Sequence, residues 1–398
     1  MSSLDQALAI LAKIGPELSS SEPERLRLSD ALLSALRRVQ SPWDIACAHG
    51  WIELTTTAAI KTLIDTGLFT KWAEHGAKPT SAGEFAKLTG ADPVLLGRLL
   101  RHLAAQHLIT ESGEDTYAST PWSLALGTDT ATTSIYGTFY HEVNAPLAIS
   151  LPSFLKETGF KNPTDSQASN FQRVHGHGST YFDFIASSPL RNKEFADAMD
   201  CHARGNILPW TEVYDTNQII AHAKPGRPLV VDVGGSKGHD LDKFRQKHAD
   251  IPRGSLILQD LPEVLDNLTV DSSITVCPHD FFTAQPIKGA AIYYLHLILH
   301  DWPNERATEI LKNISEAMEP GYSRILLHED VVALRDPSVQ ATVADMTMLM
   351  CFSSAERTEN EWRALVEGVE GLRIIKVWRK PLSLGGIVEI ERIGTSDK

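Results

Sequence analysis

The sequence predicts an α/β protein: a doubly wound, mostly parallel sheet preceded by a mainly α-helical domain. Three observations carry this. From Pro228 onward, short apolar runs rich in β-branched residues alternate with amphipathic helical segments, the pattern of repeated βα units in a parallel sheet. The first run, Leu229-Val230-Val231-Asp232-Val233, opens into Gly234-Gly235-Ser236-Lys237-Gly238 and a helix. Strand, glycine-rich turn and helix make a cradle for a nucleotide-like ligand at the carboxyl edge of a sheet. The first 120 residues instead carry helical periodicity almost throughout.

The totals bound what the chain can do. Its 398 residues suit two or three domains, read as residues 1–120, a helical stretch at 121–225, and 226–398. The hydrophobic fraction of 42% and charged fraction of 22% are those of a soluble globular protein with a core of its own. A net charge of −13 argues against a nucleic-acid partner, because neutralising phosphates needs basic surface. Cys47, Cys201, Cys277 and Cys351 are scattered, with no CxxC or Cys/His cluster. Neither zinc nor a disulfide framework is expected, and a reduced, cytoplasmic location is. No basic stretch followed by an apolar one opens the chain, and no apolar run reaches about 18 residues. Neither a secretory leader nor a membrane span is expected.

Taken in order, residues 3–39 read as two amphipathic helices around a break at Ser19–Pro23, with Leu4, Leu8, Leu11, Leu33 and Leu36 at helical spacing. Such a pair suits packing on a partner subunit or on its own domain. A helix around Ala58–Leu68 follows. Ser81-Ala82-Gly83-Glu84 is a capping box, and Gly90 can end the short helix it opens. Asp92-Pro93 starts a helix striped with Leu95, Leu96, Leu99, Leu100 and Leu103, and Leu108 to Tyr117 reads as a hairpin. Three helices and a hairpin make a winged helix. Its third helix presents leucines rather than the Arg, Lys, Asn or Gln that read base edges, so protein packing fits it better than DNA.

Residues 121–225 are mostly helical, interrupted by loops at 161–166 and 175–178. His175 and His177 have no carboxylate or cysteine at ligand spacing, which argues against a metal there. Tyr181–Phe184 and Phe195–Met199 are apolar helical stretches, readable as core or as pocket lining. The strands beyond are expected at 229–233, 255–259, 273–277, 291–297 and 324–328. A helix is expected at 304–318. A last helix near 359–367 precedes two strands, 372–377 and 387–390.

The ligand in the turn can be narrowed. GxxxxGK[ST], the phosphate loop, does not occur, and GxGxxG fails at its first position, Val233. An acid followed by small residues at alternate positions, Asp232-x-Gly234-x-Ser236-x-Gly238, fits instead. Asp260 closes the next strand, where a carboxylate can accept from both ribose hydroxyls; a nicotinamide dinucleotide would place an acid similarly. Asp280-Phe281 closes the third, where the carboxylate could accept from an adenine amino group and the ring pack on it.

These features resemble motif I and its companions in class I S-adenosylmethionine-dependent methyltransferases. Ser236 stands where glycine is usual. The strand end Tyr293-Tyr294-Leu295-His296-Leu297-Ile298-Leu299-His300-Asp301-Trp302-Pro303, with His328-Glu329 and Glu356-Arg357-Thr358 following in order, resembles plant and fungal small-molecule O-methyltransferases over about residues 40–392. That resemblance implies a Rossmann-like catalytic domain behind a winged-helix dimerisation domain. It implies S-adenosylmethionine bound by Asp232, Gly234, Gly235, Gly238, Asp260, Leu261, Asp280, Phe281 and His296. The last stands where a Lys or Arg is usual. It implies His300 as general base, flanked by Glu329 and Glu356, and no metal. The substrate pocket would include Phe182, Met199, Asp301, Met346 and Met350. The expected reaction is methylation of a phenolic or enolic hydroxyl of an aromatic secondary metabolite by a homodimer. The alternative is a non-methylating enzyme on the same scaffold, a pericyclase or dehydratase.

Overall fold

The computed structural model describes residues 2–206, 208–248, 250–266, 268–380 and 385–394. Two compact units are present, Met1–Gly137 and Thr138–Lys398. The stretch expected as one helical region, 121–225, therefore falls on both sides of this division.

In the first unit, helices Glu53–Asp65, Leu68–Glu74, Ala82–Thr89 and Pro93–Ala105 precede a hairpin. Strands β1 (Thr80–Ser81), β2 (Thr110–Gly113) and β3 (Thr116–Ala118) form an antiparallel sheet in the order β1-β3-β2. The local signals behave as their chemistry requires. Ser81 Oγ accepts the Glu84 N–H while the Glu84 carboxylate accepts the Ser81 N–H at 2.9 Å. Gly90 ends that helix at φ +77°, a backbone state open to glycine. Asp92 caps the next helix through the Leu95 N–H at 2.9 Å. Leu96, Leu100 and Leu103 turn inward against Leu63, Trp72, Phe85 and Tyr117. Helices Ser3–Leu11, Glu22–Val39 and Pro42–Cys47 bury no residue at all, and Leu4, Trp43 and Val39 are 65%, 65% and 80% exposed.

The second unit is built on one sheet. Its strands are β4 (Val230–Val233), β5 (Leu256–Asp260), β6 (Ile274–Pro278), β7 (Ile292–His296), β8 (Arg324–Val332), β9 (Arg357–Thr358), β10 (Leu372–Arg379) and β11 (Gly385–Arg392). The order is β10-β11-β8-β7-β4-β5-β6, with β9 on the end of β8. Strands β4 to β9 pair in parallel; β10 and β11 are antiparallel. All five expected βα strands and both terminal ones are present, shifted by a few residues at their ends.

Both faces of the sheet are covered, which is why β4, β5 and β7 read as unbroken apolar runs. One face packs Tyr293, Leu295 and Leu327 against Ile310, Leu311, Trp362 and Val366, from helices Asn304–Ser315 and Glu359–Glu367. The other packs Ile292, Tyr294 and Leu326 against Trp210, Leu241 and Phe244, the last two from helix His239–Lys247. The strand order reverses between β4 and β7. The carboxyl ends there diverge and leave the crevice in which such sheets hold ligands.

Candidate active site

The turn after β4 shows what its glycines are for. A Cβ on Gly235 would lie 2.5 Å from the Asp232 carboxyl and 2.6 Å from Leu258 Cδ1. Any side chain there would collide with the strand floor. Gly234 and Gly238 hold φ of +76° and +75°, and the Gly234 and Gly235 N–H groups donate to Gln259 O at 2.8 and 3.0 Å. Ser236 also holds a left-handed φ, +50°, and its N–H donates to Asp260 Oδ2 at 2.8 Å. The serine thus takes the conformation a glycine would take, at a conformational cost of about 1–2 kcal/mol.

The carboxylates around the turn suit a cationic nucleoside. Asp232 is buried and its Oδ2 has no partner among the described residues. Burial first, then the charges of Asp240 and Asp260, push its carboxyl well above the usual range. A positive charge in the turn would reverse that. Asp260 keeps lone pairs free on both oxygens beside its bonds from the Ser236 and Leu261 N–H groups. Asp280 is exposed and accepts the Phe282 N–H, while Phe281 packs edge-on against Phe282 and Trp302. Leu261 lies exposed beyond Asp260. These residues fit the S-adenosylmethionine that the sequence implies.

Beyond β7 the chain turns through Leu299–Asp301 and presents His300, whose side chain is 12% exposed. Its Nδ1 lies 2.7 Å from Glu356 Oε1 and its Nε2 3.6 Å from Asp301 Oδ1. Glu329, from β8, accepts the Ile298 and Leu299 N–H groups at 3.1 and 2.8 Å. Glu329 and Glu356 each keep a second, buried oxygen without a partner among the described residues. His300, Glu329 and Glu356 bring ligand atoms within 4.8 Å of one another, the one grouping among the described residues that could hold a metal ion.

The electrostatics of this cluster are coupled, so its groups titrate together. Burial opposes charge on His300, but Asp301, Glu356 and Glu329 outweigh it and raise the imidazole to about 10. Burial raises Glu329 to about 7 and Asp301 to about 6. The direction is plain: three acids around one imidazole make it a strong base. A phenol also ionises near 10, so a proton can pass between the two almost without loss. The consequence is that the imidazole must shed its own proton first.

Arg357 is a part of the site that sequence reasoning left without a role. Its buried guanidinium donates to Leu299 O at 2.9 Å, Trp302 O at 2.7 Å and Asn304 Oδ1 at 3.0 Å. Ser354 Oγ donates to His300 O at 2.5 Å, and the Glu356 N–H donates to Asp345 at 3.0 Å. The segment 354–357 thereby fixes the turn that carries His300. The available signal was an arginine directly after a catalytic-type glutamate in a strand-length motif.

The opposite face of the sheet carries a second cluster. His296 Nδ1 lies 2.6 Å from Asp240 Oδ2. Its ring stacks on His328 with centroids 4.3 Å apart and 15° between planes, and His328 Nδ1 meets Tyr294 Oη at 2.8 Å. His296 is the last residue of β7.

The expected pocket residues divide. Asp301 is beside His300. Helix Val339–Phe352 packs on the 299–301 turn and carries Met346, exposed, and Met350, buried with Leu147, Phe171, Tyr181 and Ile185. Phe182 stacks on Phe352 at 5.8 Å. Met199 is half-buried in helix Pro189–Asn206. His175 is sandwiched by Phe171 and Phe184 at 4.5 and 4.4 Å, a packed ring.

Known proteins share this architecture. Residues 159–371 match the family model for an O-methyltransferase domain. The chain is 34% identical to O-methyltransferase mfmE of Annulohypoxylon moriforme, over 96% of this chain and 94% of that protein. It is 33% identical to demethylsterigmatocystin 6-O-methyltransferase of Aspergillus parasiticus, over 94% and 95%. Among solved structures, one described as a pericyclic reaction enzyme superposes with TM-score 0.86 at 26% identity, over 98% of this chain and 100% of that one. OxaC in complex with sinefungin and meleagrin superposes with TM-score 0.81 at 25% identity, over 98% of each. With a family match across more than half its length and relatives covering nearly all of it, the chain belongs to the S-adenosylmethionine-dependent O-methyltransferase family.

Proposed function

We propose that this enzyme methylates a phenolic or enolic hydroxyl of an aromatic secondary metabolite, with His300 as general base. The observation that carries this is the 2.7 Å contact between His300 Nδ1 and the buried Glu356. It fixes the imidazole through Nδ1, which leaves Nε2 for the acceptor proton, and stabilises the imidazolium formed when that proton arrives. Asp232, Gly234, Gly235, Gly238, Asp260, Leu261, Asp280, Phe281 and His296 would hold S-adenosylmethionine, whose sulfonium supplies an activated methyl group. Phe182, Met199, Met346 and Met350 would line the acceptor side, where flexible thioethers and rings adapt to many ring systems. Glu329 positions the strand end through its two backbone bonds.

The test is transfer of labelled methyl from the cofactor to a panel of phenols. His300→Ala is expected to lower kcat by roughly 10²–10⁴-fold while S-adenosylhomocysteine still binds. Full turnover by that variant would remove the assigned base. Turnover that survives exhaustive EDTA treatment keeps the His300–Glu329–Glu356 group a proton site rather than a metal site. The second reading, a pericyclase or dehydratase, draws on the likeness to the pericyclic reaction enzyme. It predicts product formation with no label incorporated and with cofactor unconsumed.

The working form is a cytoplasmic homodimer joined through the N-terminal helices. Their apolar residues are supplied by no core of their own, which supports a partner surface, and the four cysteines are free thiols. No helix among the described residues is long and apolar enough to cross a membrane. Light scattering should give about twice the chain mass of 43.8 kDa. Val39→Asp with Leu36→Asp should return it to a monomer.

A further inference from the structure

We propose that Asp345 is a positioning residue for the general base: it holds the Glu356 backbone against the helix that carries Met346 and Met350, and so sets the orientation of His300. The proposal rests on the reading of His300 as the base and of that helix as a wall of the acceptor site.

Asp345 lies midway along helix Val339–Phe352, directly before Met346. It is half-buried, and its Oδ1 accepts the Glu356 N–H at 3.0 Å. The helix ends at Phe352, Ser353 takes φ +55°, and Glu356 follows after Ser354 and Ala355. The chain therefore doubles back. Glu356 returns to a residue two turns before the helix end, about 10 Å along its axis. The return is pinned on both sides of Glu356. Ser354 Oγ donates to His300 O at 2.5 Å, and the Arg357 guanidinium donates to Leu299 O at 2.9 Å. Those bonds hold the turn that carries His300. The Asp345 bond acts on Glu356 itself, at the N–H, and so sets where its side chain leaves the backbone. That buried side chain ends 2.7 Å from His300 Nδ1.

The surroundings disfavour an acid at this position. Burial first pushes the Asp345 carboxyl above the usual carboxylate range, and the charges of Glu356 and Glu361 push the same way; the bond from the Glu356 N–H opposes them. An asparagine would offer the same acceptor oxygen without that repulsion. The bond and the charge can therefore be separated by substitution. Glu356 bears on His300 through direction as well as through charge. A misplacement of about 1 Å at a group that orients the reacting partners costs a reaction about 10²-fold. Because Asp345, Met346 and Met350 share one helix, the same bond ties the imidazole to the wall on which the acceptor would rest.

The experiment is steady-state methyl transfer by the full chain, with labelled S-adenosylmethionine and a phenol that the wild type accepts. Asp345→Ala should lower kcat about 10–10²-fold, with KM for the phenol within about threefold of wild type. Asp345→Asn, which keeps the acceptor oxygen, should recover kcat to within about threefold. In a Glu356→Ala background, Asp345→Ala should lower kcat by less than about twofold more, because no carboxylate is left to place. Asp345→Ser, whose hydroxyl is one bond shorter, repeats these comparisons if the alanine variant does not fold. Equal losses in the alanine and asparagine variants, a change confined to KM, or losses that multiply with Glu356→Ala would overturn the positioning role. Full turnover by His300→Ala, or no labelled product from the wild type on any phenol, would instead overturn the underlying reading, and the positioning role with it.

Discussion

On one face of β7 and β8, His300 stands among Glu356, Glu329 and Asp301; on the other, His328 lies beneath His296 with Tyr294 as its partner. Both imidazoles are largely or wholly buried, and burial by itself disfavours the charged form of each. The neighbours reverse that only for His300. Three acids raise it to about 10 against its burial, whereas at His328 burial, reinforced by the second histidine, holds the ring well below the ordinary value. The sheet edge therefore separates a group that takes protons readily from one that refuses them. Pleating does the separating: adjacent residues His328 and Glu329 on β8 point to opposite faces.

The largest expected effect comes from removing the clamp on the His300 side. Arg357→Met removes the donor to Leu299 O and Trp302 O and a positive charge that acts on Glu329 and Glu356. Loss of one partner from such a buried arrangement costs about 3–5 kcal/mol, a fall in Tm of roughly 10 °C. A melting curve within about 2 °C of wild type would mean that the turn is held without the guanidinium. Nothing comparable is expected on the His328 side, where no buried arginine among the described residues spans the strand ends.

A smaller effect sharpens the proton contrast. Glu356→Gln keeps an acceptor for His300 Nδ1 but removes one of the three negative charges. Wild-type kcat should rise with pH from 7 toward about 10, because turnover needs the free imidazole. In the variant that limb should move toward pH 7, with the plateau lowered about tenfold. Stability should follow the opposite sense. A raised basicity in the folded state stabilises it fully below the unfolded histidine value near 6.5 and loses that contribution as pH rises toward about 10. Wild type should therefore lose Tm across that window and Glu356→Gln should lose less. An unmoved pH limb would show that Glu356 acts through shape alone.

Much of this was legible in the chain. The alternation of apolar runs and amphipathic helices gave β4, β5, β6, β7 and β8 to within a few residues, because strands covered on both faces need unbroken apolar sequence. Capping chemistry at Ser81, Gly90 and Asp92 located helix ends, since those residues satisfy backbone groups locally. What sequence could not supply were contacts made across the sheet. The pairing of Asp240 with His296 joins residues 56 apart, and the bond from Arg357 to Leu299 joins residues 58 apart. Neither spacing follows from any local periodicity. The division of the chain at Gly137 was hidden for a related reason. Helices on both sides of it have the same amphipathic pattern, and only their packing assigns them.

The finest expected effect lies in the turn that both clusters border. Ser236 holds φ +50°, a state that costs a residue with a Cβ about 1–2 kcal/mol, while glycine enters it freely. Glycine also gains freedom in the unfolded chain, which returns roughly 0.5–1 kcal/mol of that advantage. Ser236→Gly should therefore stabilise the protein by less than about 1 kcal/mol, a rise in Tm of roughly 1–3 °C. The Asp260 contact is made by the Ser236 backbone N–H, not the hydroxyl, so it survives the change. Cofactor affinity should then stay within about threefold of wild type. A lower Tm, or a weakening beyond that range, would show that the serine hydroxyl itself serves the turn, and that its departure from glycine is functional rather than tolerated.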